Sequence, residues 1–287
     1  MKKILVPLDG SELSDKILNQ VRRLLVQKDA KVMLLRVVPG RIDYPSSTDQ
    51  RRLLDQAHQH LGELRDRLSE QGADVGCSVL MSGDPASKIL SFARRYRPSL
   101  IAMSTHGRTG LKRWTRGSVA ERVLRSSPFP LLLWNPFRPS GIGRGGGARF
   151  QKILVPFDGS ETSAEILPLV REFALLNEAR VVLFHAQTLY PTVGDYAGII
   201  LPPSPKEMVK MFKPFLRRLR GVRTSVRIVI GIPAEAVLEA ARKEEADLIA
   251  MTTHGRSGLS RWAFGSVAEQ ILRHSSLPML VQRTGGA

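Results

Sequence analysis

The chain has 287 residues, 43% of them hydrophobic and 24% charged, with a formal net charge of +17. That length accommodates two domains with a core each, and the composition excludes fibrous and disordered classes. No apolar run approaches the ~20 residues of a bilayer span and the start lacks a signal-peptide cleavage site, so a cytoplasmic protein is expected, while the lone Cys77 excludes an internal disulfide and has no partner at zinc-ligand spacing.

The elements read in chain order as alternating strands and helices. Lys3 to Leu8 is a short apolar strand, and Ser11 can cap a helix whose apolar positions Leu13, Ile17, Val21, Leu24 and Leu25 share a face. Lys31 to Val38 is a second strand, followed by a helix from about Thr48 to Gln71 and a strand from Val75 to Met81 that holds Cys77 as an inert member. Asp84 caps and Pro85 starts a third helix. Leu100 to Met103 is a buried strand, Gly117 to Arg125 a fourth helix and Pro130 to Trp134 a fifth strand.

The pattern then starts again. Lys3-Ile-Leu-Val-Pro-Leu-Asp-Gly-Ser-Glu12 recurs as Lys152-Ile-Leu-Val-Pro-Phe-Asp-Gly-Ser-Glu161, and Thr105-His-Gly-Arg-Thr-Gly-Leu-Lys-Arg-Trp114 recurs as Thr253-His-Gly-Arg-Ser-Gly-Leu-Ser-Arg-Trp262. Both pairs are displaced by nearly the same amount, so the chain is a tandem duplication. Second-half strands fall near Lys152 to Phe157, Arg180 to His185, Val226 to Ile230, Leu248 to Met251 and Pro278 to Gln282. The expected domains are 1–137 and 150–287, joined by a Gly/Pro-rich linker at 138–149. Each half is expected to be an α/β, doubly wound domain, a five-stranded parallel sheet with four helices, with its ligand beyond the carboxyl ends of the strands. The last strands, Leu131 to Trp134 and Met279 to Gln282, are short and apolar, and two like edges can cover each other by pairing antiparallel within the chain.

The loop after each fourth strand carries the chemistry. In the first half it runs from Ser104 through Gly107 and Arg108 to Gly117-Ser118-Val119, where a helix opens. Free backbone N–H groups at a helix start favour an anion, glycine admits a phosphate close to the backbone, and Ser118 adds a hydroxyl. Lys112, Arg113 and Arg116 add positive charge. The second-half equivalents are Thr252, Gly255, Arg256, Arg261, Gly265, Ser266 and Val267. Asp9 and Asp158, at the end of each first strand, can accept from a base amino group or a ribose hydroxyl, or can serve only an Asp-Gly turn. Most other basic residues, such as those of Phe215-Leu-Arg-Arg-Leu-Arg220, fall in helix-like stretches and are expected to face water.

With these residues on the page, the chain resembles a tandem universal stress protein. The resemblance covers both halves, through the Val-Pro-x-Asp-Gly-Ser start and the nine residues that separate Gly107 from Gly117 and Gly255 from Gly265, each followed by Ser. It implies a Rossmann-like fold of the adenine nucleotide alpha hydrolase type and ATP or a related adenine nucleotide as ligand, with Mg²⁺ as a companion of its phosphates. It further implies that Asp9 and Asp158 lie on the adenine side and Val37 and Ala186 against the base, and that the glycine loops hold the phosphates. Pro7, Met103, Pro156 and Met251 complete the set it carries over. Stress-linked expression, a regulatory role and dimerisation come with the same resemblance.

This sequence departs from the family pattern at its first glycine, which is Ser104 in one half and Thr252 in the other. If that position needs a positive φ, Thr252 is strained; if it is extended, nothing is lost. Ala186 in place of Val37 also reduces contact with a base, and Phe264 stands where the first half has Arg116, so the first site is expected to bind ATP better. His106 and His254 are read as loop-orienting rather than catalytic, Ser118 and Ser266 lack a nucleophile elbow, and no P-loop pattern is present. Trp114 and Trp262 are read as closing the loop. No catalytic or metal-ligating set is assigned. A regulatory nucleotide-binding protein is the reading adopted, against a slow ATPase or nucleotidyl-transfer enzyme and a basic adaptor for nucleic acid or an acidic partner.

Overall fold

A computed structural model describes residues 3–25, 30–40, 48–105, 119–137, 149–188, 204–253 and 265–284. Its first half runs β1 (Lys3–Leu8), α1 (Glu12–Asp15), α2 (Leu18–Arg22), β2 (Lys31–Val38), α3 (Thr48–Ser69), β3 (Asp74–Met81), α4 (Pro85–Tyr96), β4 (Leu100–Ser104), α5 (Val119–Ser126) and β5 (Leu131–Trp134). The second runs β6 (Lys152–Pro156), α6 (Glu161–Ala164), α7 (Leu167–Asn177), β7 (Arg180–Gln187), α8 (Pro205–Leu216), β8 (Thr224–Ile230), α9 (Pro233–Lys243), β9 (Leu248–Thr252), α10 (Ser266–His274) and β10 (Met279–Gln282), with a short 3-10 turn at Arg217–Leu219.

Local chemistry explains where these elements start and stop. Ser11 and Ser160 cap α1 and α6 through their hydroxyls, Asp84 caps α4 with Pro85 just inside, and Ser204 with Glu207 forms a reciprocal capping box at α8. The single first helix expected in each half is two pieces. In the first half, Ile17 N–H donates to the Ser14 carbonyl at 3.2 Å and Gln20 N–H to Ile17 at 2.9 Å, three-residue bonds that tighten the chain and interrupt the α-helix. In the second, Pro168 has no N–H to donate and sits in the first turn of the new helix.

The strands form one sheet in the order β3-β2-β1-β4-β5-β10-β9-β6-β7-β8. Each half is parallel and doubly wound, as the alternation predicted, with strand order reversing between β1 and β4 and between β6 and β9. The halves meet where β5 and β10 pair antiparallel, with Leu131 opposite Val281, Leu132 opposite Leu280 and Leu133 opposite Met279. The expected side-by-side last strands are therefore present. Leu132 and Leu280 point to one face and join the apolar layer under α3 and α8; Leu131, Leu133, Met279 and Val281 point to the other and join the layer under α4, α5, α9 and α10. Both layers run through the seam, so the two halves share their cores.

Candidate functional site

The switch point in each half is a crevice. β1 and β4 are in register only at Ile4↔Leu100 and Leu5↔Ile101, and β6 and β9 only at Ile153↔Leu248 and Leu154↔Ile249, before their carboxyl ends diverge. Over the second crevice lies a cavity of about 260 Å³. Phe184, Ala186, Pro233, Val237 and Met251 give it apolar walls, and Asp158, Ser163, His185, Thr252, Thr253, Gly265 and Ser266 its polar ones.

One end of this cavity is the start of α10. Gly265 occupies the N-cap and, among the described residues, no side chain caps the helix, as is also so at α9, so no described side chain takes up the N–H groups of its first turn. Gly265 N–H donates to the Thr253 carbonyl at 2.9 Å, which ties the end of β9 to the helix start. Its φ of −54 and ψ of 137 are open to any residue, so glycine is not required there by backbone conformation.

At the other end are the aspartates. Asp158 Oδ1 accepts from Ser160 N–H at 2.9 Å and from Ser160 Oγ at 2.6 Å, and Asp9 makes the same two bonds to Ser11 at the same distances. Each aspartate thus organises the turn that caps α1 or α6, so the turn role weighed from the sequence is real and uses Oδ1. Gly10 follows at φ 80, a left-handed conformation that favours glycine, and a Cβ there would lie 2.5 Å from Arg36 Cζ and push that side chain aside.

Arg36 and His185 were not singled out by the sequence patterns. They occupy matching places in β2 and β7, and both are buried. His185 Nδ1 donates to the Phe157 carbonyl at 2.8 Å, which places the proton on Nδ1, and its ring meets Phe212 edge-on at 5.5 Å. A buried cation beside the Asp9 turn is thereby replaced, in the second half, by an aromatic ring that anchors the Asp158 turn through backbone.

Among the expected site residues, Pro156, Asp158, Ala186, Met251, Gly265, Ser266 and Val267 gather around the second crevice. In the first half, Pro7 ends up buried in β1, Asp9 follows that strand, and Val37, Met103 and Val119 pack in one apolar cluster on the same side of the sheet. Gly107, Arg108, Gly117, Ser118, Gly255 and Arg256 lie outside the described residues, as do His106, His254, Trp114 and Trp262. Ser104 and Thr252 end β4 and β9 and are absent from the positive-φ residues, so the strain considered for Thr252 does not arise. That removes one ground for ranking the first site above the second; the smaller Ala186 remains, as does Phe264 in place of Arg116, a pair that lies outside the described residues.

The model of the universal stress protein family matches residues 1–134 and 149–283, nearly the whole chain. The chain belongs to the universal stress protein family. A universal stress protein of Methanocaldococcus jannaschii is 31% identical over 160 residues, covering 53% of this chain and 94% of its own. One from Thermus aquaticus is 30% identical over 145 residues, 47% of this chain and 99% of that one. Both relatives are thus about one half long. Among solved structures, a universal stress protein from Archaeoglobus fulgidus superposes with a TM-score of 0.73 at 20% identity, covering 99% of this chain and 96% of the other. A second from Pseudomonas aeruginosa gives 0.67 at 18%, covering 99% and 94%. These two likenesses extend across both halves and establish the shared fold of this tandem universal stress protein. No described helix is long and apolar enough to cross a membrane.

Proposed function

We propose that this universal stress protein binds ATP or a related adenine nucleotide at the crevice of each half and acts as a regulatory protein in a stress response. The observation that carries the reading is the uncapped start of α10 opening onto the cavity of about 260 Å³, with an apolar slot between them and the Asp158 turn. A polyanion suits the helix start and a flat, weakly polar ring suits the slot. In this reading the N–H groups of Ser266 and Val267 hold the phosphates, Phe184, Ala186 and Met251 flank the base, and Asp158 meets the base or ribose. Gly117, Ser118, Val119, Val37, Met103 and Asp9 take the same parts in the first half. Residues 1–137 and 150–287 then form the two binding units.

In this reading His185 and Asp158 hold the shape of the second cavity, His185 Nδ1 donating to the Phe157 carbonyl and Asp158 Oδ1 accepting from Ser160. The test is to purify the full chain without added nucleotide, release small molecules by heat and identify them by chromatography and mass. Adenine nucleotide at a fixed ratio to protein supports the reading. A chain that carries none, and shows no binding heat with ATP in the presence or absence of Mg²⁺, contradicts it.

A further inference from the structure

The two halves differ in the charge of the long helix that covers their outer strands. α3 is balanced, with Arg51, Arg52, Arg65 and Arg67 against Asp49, Asp55, Glu63 and Asp66. The matching span of the second half, α8 with its 3-10 turn, carries five cations against Glu207 alone. Four of those cations, Lys206, Lys210, Lys213 and Arg217, follow one another at steps of four, three and four residues, which places them in a single row along the helix. All four are exposed. Met208, Phe212 and Leu219 are buried, on the opposite side of the helix from that row. No ion pair joins any of the four to a described residue, whereas Arg218, off the row, pairs with Glu161 at 2.6 Å. An ordinary solvated helix face would mix its signs, as α3 does; this one does not.

We infer that the α8 face is a docking surface for the phosphate backbone of nucleic acid, read without regard to base sequence. A row of like charge without internal acids complements a linear polyanion, and each phosphate it neutralises releases counterions. The face lacks aromatic groups for stacking on bases: Phe212 is buried, and Phe215 is turned inward against Phe157 at 5.0 Å. An anionic membrane fits less well. The exposed apolar residues of α8, Val209 and Met211, flank the row on either side and do not form the apolar stripe with which a surface helix enters lipid. This surface lies on the sheet face opposite α9 and α10, so it is separate from the proposed nucleotide site.

The test uses the full chain and a fluorescent mixed-sequence DNA duplex, with binding followed by anisotropy between about 50 and 200 mM salt. Four phosphate contacts give a log-log salt slope of about −4. The double variant K210Q/K213Q lowers the magnitude of that slope by about 2 and weakens binding equally to duplexes of unrelated sequence. The control R51Q/R52Q on α3 leaves both unchanged. An unaltered circular dichroism spectrum and Tm in each variant show that the fold persists. Three results overturn the inference: no binding at about 50 mM salt, a slope that K210Q/K213Q does not change, or binding to phosphatidylserine vesicles with none to the duplex.

Discussion

Arg23 of the first half and Asp247 of the second face each other across the seam, Nη2 to Oδ1 at 3.4 Å. The arginine also donates to the Arg149 carbonyl at 3.1 Å and lies 3.8 Å from the centre of the Phe150 ring. Asp247 Oδ2 accepts from the backbone of Gln151 at 2.8 Å and Lys152 at 3.3 Å. Together they clamp the chain where it enters the second half. Burial pushes the Asp247 carboxyl up, against the Gln151 N–H and Arg23, which hold it down; burial likewise pulls the Arg23 guanidinium down. Replacing Arg23 with Ala leaves a largely buried carboxylate with Lys152 as its remaining cation, with an expected loss of about 2–3 kcal/mol at neutral pH, toward the low end for a broken buried pair because that charge and some solvent remain. A carboxyl whose folded value is raised adds stability below its unfolded value and loses it as pH rises through the folded one, so the deficit of R23A shrinks on acidification toward about pH 4. Urea unfolding at neutral and acid pH checks this, and a deficit that grows on acidification contradicts it.

Asp84 binds Arg122 with both oxygens, at 2.8 and 2.6 Å, and so braces the start of α4 against α5. The second half has Ile232 and Gln270 in these places and no such brace. Arg122 and the Ser87 hydroxyl hold the Asp84 carboxyl well below the usual carboxylate range. A depressed value means stability present above the unfolded pKa and lost as pH falls, so the brace begins to fail below about pH 4. In D84N the stability of the chain should fall less steeply with acid than in the wild type. Parallel thermal melts from pH 7 downward decide it, and identical slopes count against the brace.

Leu132 sits opposite Leu280 in the seam, both at 0% exposure. A lysine there must bury its ammonium or break the strand pair, at a cost of several kcal/mol. Leu132→Lys is expected to lower Tm and to expand the molecule as the seam opens, read from small-angle scattering at several concentrations. Scattering and Tm both equal to wild type would mean that the β5–β10 pairing does not hold the halves together.

Ala186 lines the second cavity where the first half has Val37. Restoring the larger side chain with A186V adds about two methylene equivalents of contact at roughly 0.8 kcal/mol each if fully buried, so ATP affinity at the second site should rise several-fold. Unchanged or weaker binding would show that the base does not rest on this residue.

The sequence made the strands and caps legible because they are local: β-branched runs for β1 and β6, hydroxyl caps at Ser11 and Ser160, Asp84 before Pro85. Duplication made the site legible, since Asp9 and Asp158 and the loop ends at Gly117 and Gly265 recur in step. The conformation of Thr252 was beyond its reach because one residue type fits two backbone regions; being the last residue of β9 settles it as extended. Phe184, Pro233 and Val237 went unnoticed as cavity walls because an apolar residue facing a ligand reads like one facing the core. The Arg23–Asp247 clamp was invisible for a different reason: Glu172 and Ser99 stand at the matching places, so repetition gives no hint of it.

The central claim, that nucleotide phosphates rest on the starts of α5 and α10, is tested most directly by calorimetric titration of ATP into the wild-type chain and into the double variant G117V/G265V. Gly265 has a backbone conformation that valine adopts freely, so at that position the change blocks close approach of a phosphate without straining the fold. The wild type should bind ATP, and the variant should keep its Tm while losing the binding heat. ATP affinity equal in the two proteins would contradict the account.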